Sequence, residues 1–374
     1  MFRSSDQRTD DHGIQGTGTR VGTGGGEPAN GLVPRPLDYL QPVPRHMVHR
    51  AAVAEVFVTD SIRTGEDRFL VAAQWPRDHA LYSPSSSGIS DPLLLAETVR
   101  QSLVYLAHRF YGVPLTHRFV GSGTAFRITR PELLRIGDTP LPVVLDVQWE
   151  WVGNRPPRRY GMRLAVVLTI GGEVCGEGEI SAVAVNDRTY RGLRGAGAAP
   201  ADTPSPAIGT TRLPSSSVGR LRTKDSVLGL GADGSWQLLV DLRHAIYFDH
   251  PSDHVPLMVM LEGFRQLGHL LANGDAGGAT RDAGAPDGEI ALTGMSVDCR
   301  AFGELDAPIS LVVSERQPCE GSAASGTLTI EAVQNGTLLA TCLSTWASSP
   351  SLPGEPAVGG ELTASGAAVV HGPA

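Results

Sequence analysis

Two groups of charged and amide side chains recur in this chain at the same spacing. Glu262, Arg265 and Gln266 stand at i, i+3 and i+4, and Glu97, Arg100 and Gln101 repeat them. On a helix this spacing brings all three side chains to one face. The residues around both groups are almost all apolar, and desolvation there raises a carboxyl pKa toward the range of a general acid or base. The competing reading is a buried structural ion pair, because charges persist in an apolar interior only when paired. Just ahead of the second group, FDHPSDHVP (248–256) supplies His250, Asp253 and His254. Imidazoles beside a helix start suit acyl or phosphate chemistry, and loop residues that merely cap the helix are the alternative. Two histidines and an aspartate on a short loop are a weak signal for a metal centre, and none is expected. The first-half equivalent, YSPSSSGISDP (82–92), has no histidine, so the second half is expected to be the fully equipped one. Arg191 and Arg194 in YRGLRG (190–195) are candidates to meet an anion, and NRPPRR (154–159) reads as a hairpin tip.

The elements that must position these residues come from a duplication. HALY (79–82) matches HAIY (244–247), and ETVRQ (97–101) matches EGFRQ (262–266), both at an offset of 165. Two blocks in register indicate a repeated domain. In the first copy a strand over 69–75 leads through HALY to a helix within 91–112. Strands follow at 115–121, 142–151, 161–170 and 174–185, separated by Gly, Pro, Asn and Asp clusters. In the second copy, 235–242 precedes the turn and 256–274 is the helix. Strands follow there at 290–302, 309–315, 326–335 and 338–347. Each helix is apolar nearly all round and must be buried on most sides. A long helix wrapped by a curved antiparallel sheet is an α+β hotdog, and two in sequence make a tandem (double) hotdog. The expected divisions are a tail over 1–35, a first hotdog over 36–194, a linker over 195–217, a second hotdog over 218–347 and a tail over 348–374.

Composition narrows the partners. The net charge of −8 argues against nucleic acid and offers no basic tail for a membrane surface. No apolar run reaches the ~18 residues of a membrane span, and the N-terminus has no signal-like apolar stretch, so a cytoplasmic protein is expected. The four cysteines are far apart and read as free thiols. Only Lys224 among the 31 basic residues is a lysine. Anionic groups must therefore meet guanidinium, which binds phosphate and carboxylate in bidentate fashion.

The string VDLRHAIYFDHPSDHVPLMVMLEGFRQ, with DPLLLAETVRQ and YRGLRG, resembles the A-factor synthase family of γ-butyrolactone biosynthesis over roughly residues 45–347. The resemblance implies transfer of a β-ketoacyl group from acyl carrier protein to the hydroxyl of dihydroxyacetone phosphate. The product ester closes to the butenolide precursor of a diffusible signal, and no cofactor takes part. It implies catalytic roles for Glu262, as base, and Arg265, with Glu97 as first-half counterpart. Arg100, His250, His254, Leu257 and Gln266 are the expected substrate contacts. Backbone N–H groups near Leu257 would hold the oxyanion. The chain departs from the family pattern at Ala245, at Gly263 and at Leu257, where a glycine is usual and a leucine narrows the space. A dehydratase or thioesterase acting on acyl thioesters, and a non-catalytic acyl-binding regulatory protein, remain alternatives here. Pairing into a homodimer is also open.

Overall fold

In a computed structural model of the chain, residues 35–82, 88–195, 209–273, 290–319 and 322–348 are described. The expected tails lie almost wholly outside the described residues, as does most of the stretch 195–217. Residues 211–218 of that stretch form a short strand and a 3-10 turn.

The first half runs β1 (Val58–Arg63), β2 (Arg68–Trp75), α1 (Leu93–Tyr111), β3 (Arg118–Ile128), β4 (Leu141–Trp151), β5 (Arg159–Ile170), β6 (Glu173–Val185) and α2 (Asp187–Arg194). The second runs β7 (Thr211–Arg212), β8 (Leu228–Leu230), β9 (Trp236–Leu238), α3 (Leu257–Asn273), β10 (Ile290–Cys299), β11 (Ile309–Cys319), β12 (Ser322–Gln334) and β13 (Thr337–Ser348). One antiparallel sheet holds all thirteen strands, ordered β1-β2-β4-β5-β6-β3-β10-β13-β12-β11-β9-β8-β7. Read from its two ends, the sheet gives the same six-strand order twice, apart from the extra two-residue β7 at the second end, and the halves meet where β3 pairs with β10. This is the tandem hotdog that the sequence predicts. The helix α2 is new, since the sequence pattern marked only its arginines.

Each long helix is buried because its sequence leaves no solvent face. Fifteen of the nineteen residues of α1 are buried, Glu97, Thr98, Gln101 and Ser102 among them. Asp91 Oδ1 accepts the N–H of Leu93 at 2.8 Å at its start, and Gly112, at φ 64°, closes its end. The helix packs on β3, β5 and β6, while α3 packs on β10, β12 and β13, and the two helices touch.

The junction between the halves relies on two glycines. A Cβ on Gly123 would lie 3.0 Å from the Val297 carbonyl oxygen, and one on Gly294 would lie 3.2 Å from that of Phe126. Each sits at a register shift, in β3 between Gly121 and Gly123 and in β10 between Leu292 and Gly294. There the skipped residues Ser122 and Thr293 donate their hydroxyls to carbonyls of β6 and β13. Gly123→Val and Gly294→Val are each expected to cost about 1–3 kcal/mol in urea denaturation through overpacking against backbone that cannot retreat.

Candidate active site

Each helix builds a polar cluster from the residues recognised in sequence. Gln101 accepts the Phe57 N–H (2.9 Å) and donates to the Glu55 carbonyl and to Glu97, both at 2.7 Å. Gln266 does the same with Val227 (2.8 Å), Asp225 (2.7 Å) and Glu262 (2.6 Å). The amide therefore fixes both the carboxylate and the chain entering the sheet. Glu97, with no exposed surface, receives Arg100 through two bonds of 2.8 Å and Arg50 at 2.6 Å. Glu262, equally buried, receives Arg220 at 2.7 and 2.5 Å and Arg265 at 3.2 Å.

The raised carboxyl pKa expected from the sequence is not found. Desolvation pushes Glu97 upward, but Arg100 and Arg50 outweigh it and its pKa falls to about 2. For Glu262, desolvation is likewise overcome by Arg220 and Arg265, and its pKa is lowered. Both carboxylates are ionised anchors for guanidinium groups, and both make weak bases.

Arg50 and Arg220, absent from the sequence reading, also tie the halves together. Arg50 reaches across to Asp249 (3.4 Å) and to the Ile246 carbonyl (3.3 Å). Arg220 reaches across to Asp91 at 2.8 Å. A signal for them exists in the sequence: Val48, Arg50 and Glu55 recur as Val218, Arg220 and Asp225, at an offset of 170 rather than 165.

The histidine loop does not open on Glu262, Arg265 or Gln266 of the helix it precedes. A cavity of about 260 Å³ lies between the halves, bringing His250, His254 and Leu257 of the second half against Arg100, His49 and Leu103 of the first. Glu262, Arg265 and Gln266 do not line it. Of the three, Arg265 lines a second space of only about 50 Å³, together with Asp91, Arg220 and His269. The larger cavity is therefore composite, with the second half giving the loop and the start of α3 and the first half giving α1.

The two spaces differ in how an imidazole enters. His49 has a left-handed backbone at φ 53°, where the second half has Gly219 at φ 63°. There the ring comes from α3 instead: a Cβ on Gly219 would lie 2.8 Å from His269 Cε1. Burial, with His108 beside it, drives the His49 pKa down to about 3, so it stays neutral. His254 Nδ1 donates to Asp253 Oδ1 at 2.8 Å, leaving Nε2 for a ligand. Tyr190 of α2 donates to the same oxygen at 2.7 Å. Burial lowers the His254 pKa, against the opposing pull of Asp253. His250 pairs with Asp249 at 2.5 Å and is half exposed. Arg194 is not available for an anion: it is buried, forked onto Glu304 by two 2.7 Å bonds, and donates to the Asp253 carbonyl. Leu257 lines the cavity and extends toward β3, where a Cβ on Gly121 would lie 3.7 Å from its Cδ2. Among the described residues no cluster of His, Cys, Asp or Glu has the form of a metal site, and no helix is long and apolar enough to cross a membrane.

Because the folded pKa of Glu97 lies below the usual 4.5, its stabilisation is complete above about pH 4.5 and is lost as pH falls toward about 2. Denaturation measured across that range should show this slope, and Glu97→Gln should flatten it.

Comparison with known proteins places both halves in one family. Residues 34–186 and 201–349 each match the A-factor biosynthesis hotdog domain. A 2-oxo-3-(phosphooxy)propyl 3-oxoalkanoate synthase of Streptomyces virginiae is 37% identical over 71% of this chain and 85% of its own length. One of Streptomyces griseus is 34% identical over 64% of this chain and 78% of its own. Among solved structures, a 12:0-ACP thioesterase from Umbellularia californica matches 77% of this chain and all of its own, at 13% identity and a TM-score of 0.41.

Proposed function

The chain belongs to the A-factor biosynthesis hotdog family, and we propose that it performs acyl transfer in the cavity between its halves. It is an acyltransferase joining a 3-oxoalkanoyl group to the hydroxyl of dihydroxyacetone phosphate, giving a 2-oxo-3-(phosphooxy)propyl 3-oxoalkanoate. That ester is the butenolide precursor of a γ-butyrolactone-type signal. The donor is the thioester on acyl carrier protein. The observation that carries the assignment of place is the meeting, in one 260 Å³ space, of the Arg100 guanidinium, the His254–Asp253 pair, the start of α3 and an apolar wall.

The roles follow from what each group can do. Arg100, partly exposed and held in plane by Glu97, meets the phosphate. The acyl chain lies against Leu103, Val104, Ile180 and Met260. His254 Nε2 takes the proton of the acceptor hydroxyl as its oxygen bonds to the thioester carbonyl carbon. Asp253 fixes the tautomer and steadies the imidazolium, and Tyr190 fixes Asp253. The tetrahedral oxyanion is received by backbone N–H groups at Leu257–Met258, where α3 begins. Collapse breaks the C–S bond, and the proton on His254 passes to the departing thiolate. Glu262, expected from the sequence as the base, is too deeply enclosed between two guanidiniums for that task. It holds the fold of the second half, as Glu97 holds that of the first.

Purified protein with a 3-oxoacyl thioester and dihydroxyacetone phosphate should yield the phosphorylated ester or its butenolide by mass spectrometry. Hydrolysis alone would indicate a thioesterase, and binding without product an acyl-binding protein. His254→Gln should lower kcat about 10²–10⁴-fold with the fold intact. Glu262→Gln should instead lower the melting temperature. Arg100→Lys should raise the KM for dihydroxyacetone phosphate about tenfold or more while leaving unphosphorylated dihydroxyacetone unaffected. Leu257→Ala should extend the range of acyl chains accepted, read as relative kcat/KM across chain lengths.

A further inference from the structure

The repeated HALY and HAIY blocks end in Tyr82 and Tyr247, and neither tyrosine has a part in the chemistry above. Both side chains are buried, both line the cavity between the halves, and among the described residues neither hydroxyl has a hydrogen-bond partner. A buried hydroxyl without a partner costs free energy and needs an explanation. Here the same orphan occurs twice, at equivalent positions of two diverged halves.

The rings are held firmly. Tyr82 stacks on His79 at 4.9 Å, and Tyr247 lies on His244 at 4.4 Å. His79 is paired with Glu55 at 3.3 Å and His244 with Asp225 at 3.0 Å. In turn, each histidine Nδ1 accepts the backbone N–H of its tyrosine, at 3.2 and 3.3 Å. Burial raises both phenol pKa values well above the ordinary range, so both groups keep their protons and act as donors. The two hydroxyls open on one cavity and do not bond to each other.

We propose that the Tyr82 and Tyr247 hydroxyls together bind the 3-oxo oxygen of the acyl donor and make the enzyme select β-ketoacyl over saturated acyl groups. The proposal rests on the acyl-transfer reading. A ketone oxygen has two lone pairs and accepts from two donors at once, which matches two hydroxyls opening on one space. It lies three bonds beyond the thioester carbon, so it falls within the same cavity when that carbon is at the start of α3. A saturated chain offers no acceptor and leaves both hydroxyls buried and unpaired. Sites built in this way reject the analogue that lacks the polar atom far more strongly than sites that sort by shape.

The test compares Tyr82→Phe, Tyr247→Phe and the double variant with the wild type, using 3-oxooctanoyl and octanoyl thioesters of pantetheine. The ratio of kcat/KM for the two donors is expected to narrow about tenfold for each hydroxyl removed. The rate with the 3-oxo donor should fall while that with the saturated donor rises. Each Phe variant should melt no lower than the wild type, because it loses an orphan and no bond. A ratio unchanged in the double variant, or equal losses with both donors, overturns the proposal. Calorimetric binding of the two chains as unreactive thioethers separates this from the reaction itself. If the wild type binds the 3-oxo chain preferentially and the double variant does not, the recognition stands even where no ester forms. Equal binding of both chains by the wild type overturns it. Absence of ester from the wild type overturns the acyl-transfer reading alone.

Discussion

The architecture depends on keeping two dehydrated carboxylates satisfied. Glu97 and Glu262 have no contact with solvent, and an unpaired ion in such a place would cost several kcal/mol. One guanidinium comes from the next turn of the same helix and the other from the strand-entry segment, at Arg50 or Arg220. The second guanidinium has donors left over, and these go to an aspartate of the opposite half. Satisfying a charge inside each half therefore forces contact between halves. That contact sets where the histidine loop lies relative to Arg100, and so shapes the cavity between the halves.

Much of this was legible in the sequence, and the omissions have physical causes. The helices and long strands were readable because burial on nearly all sides leaves unbroken apolar runs, and because the HALY and ExxRQ blocks repeat in register. Arg50 and Arg220 were missed because the segments bearing them match at a different offset, share few residue types and carry no apolar period. The structure sets apart residues that the sequence grouped, for a related reason. His254 and Glu262 are close on the chain, but Glu262 lies five residues beyond Leu257, about 140° around the helix axis. It therefore sits among Arg220, Arg265 and Gln266 and does not line the cavity on which the loop opens. The expected raised pKa failed because desolvation was weighed against one arginine when two are present.

The two halves have spent the same inheritance differently. In the first, an imidazole from a turn with left-handed backbone lines the open cavity. In the second, a glycine at that turn admits a histidine from the helix, and the space nearly closes. Leu257 extends to β3 where Gly121 has no side chain, so a residue that seemed to obstruct the site when read alone is accommodated by its neighbour.

The antiparallel pairing of β3 with β10 fuses into one chain what two identical subunits would otherwise form by association. Identical subunits must carry every substitution twice, once at each of the two equivalent sites. A fused pair escapes that rule, since each copy drifts under its own selection. One copy of the site is then free to become pure scaffold, judged only by how well it holds its neighbour. The other can acquire side chains that no symmetric assembly could tolerate at both places. The histidine-bearing loop at 248–256, sharing a cavity with a helix from the opposite copy, is a product of that freedom.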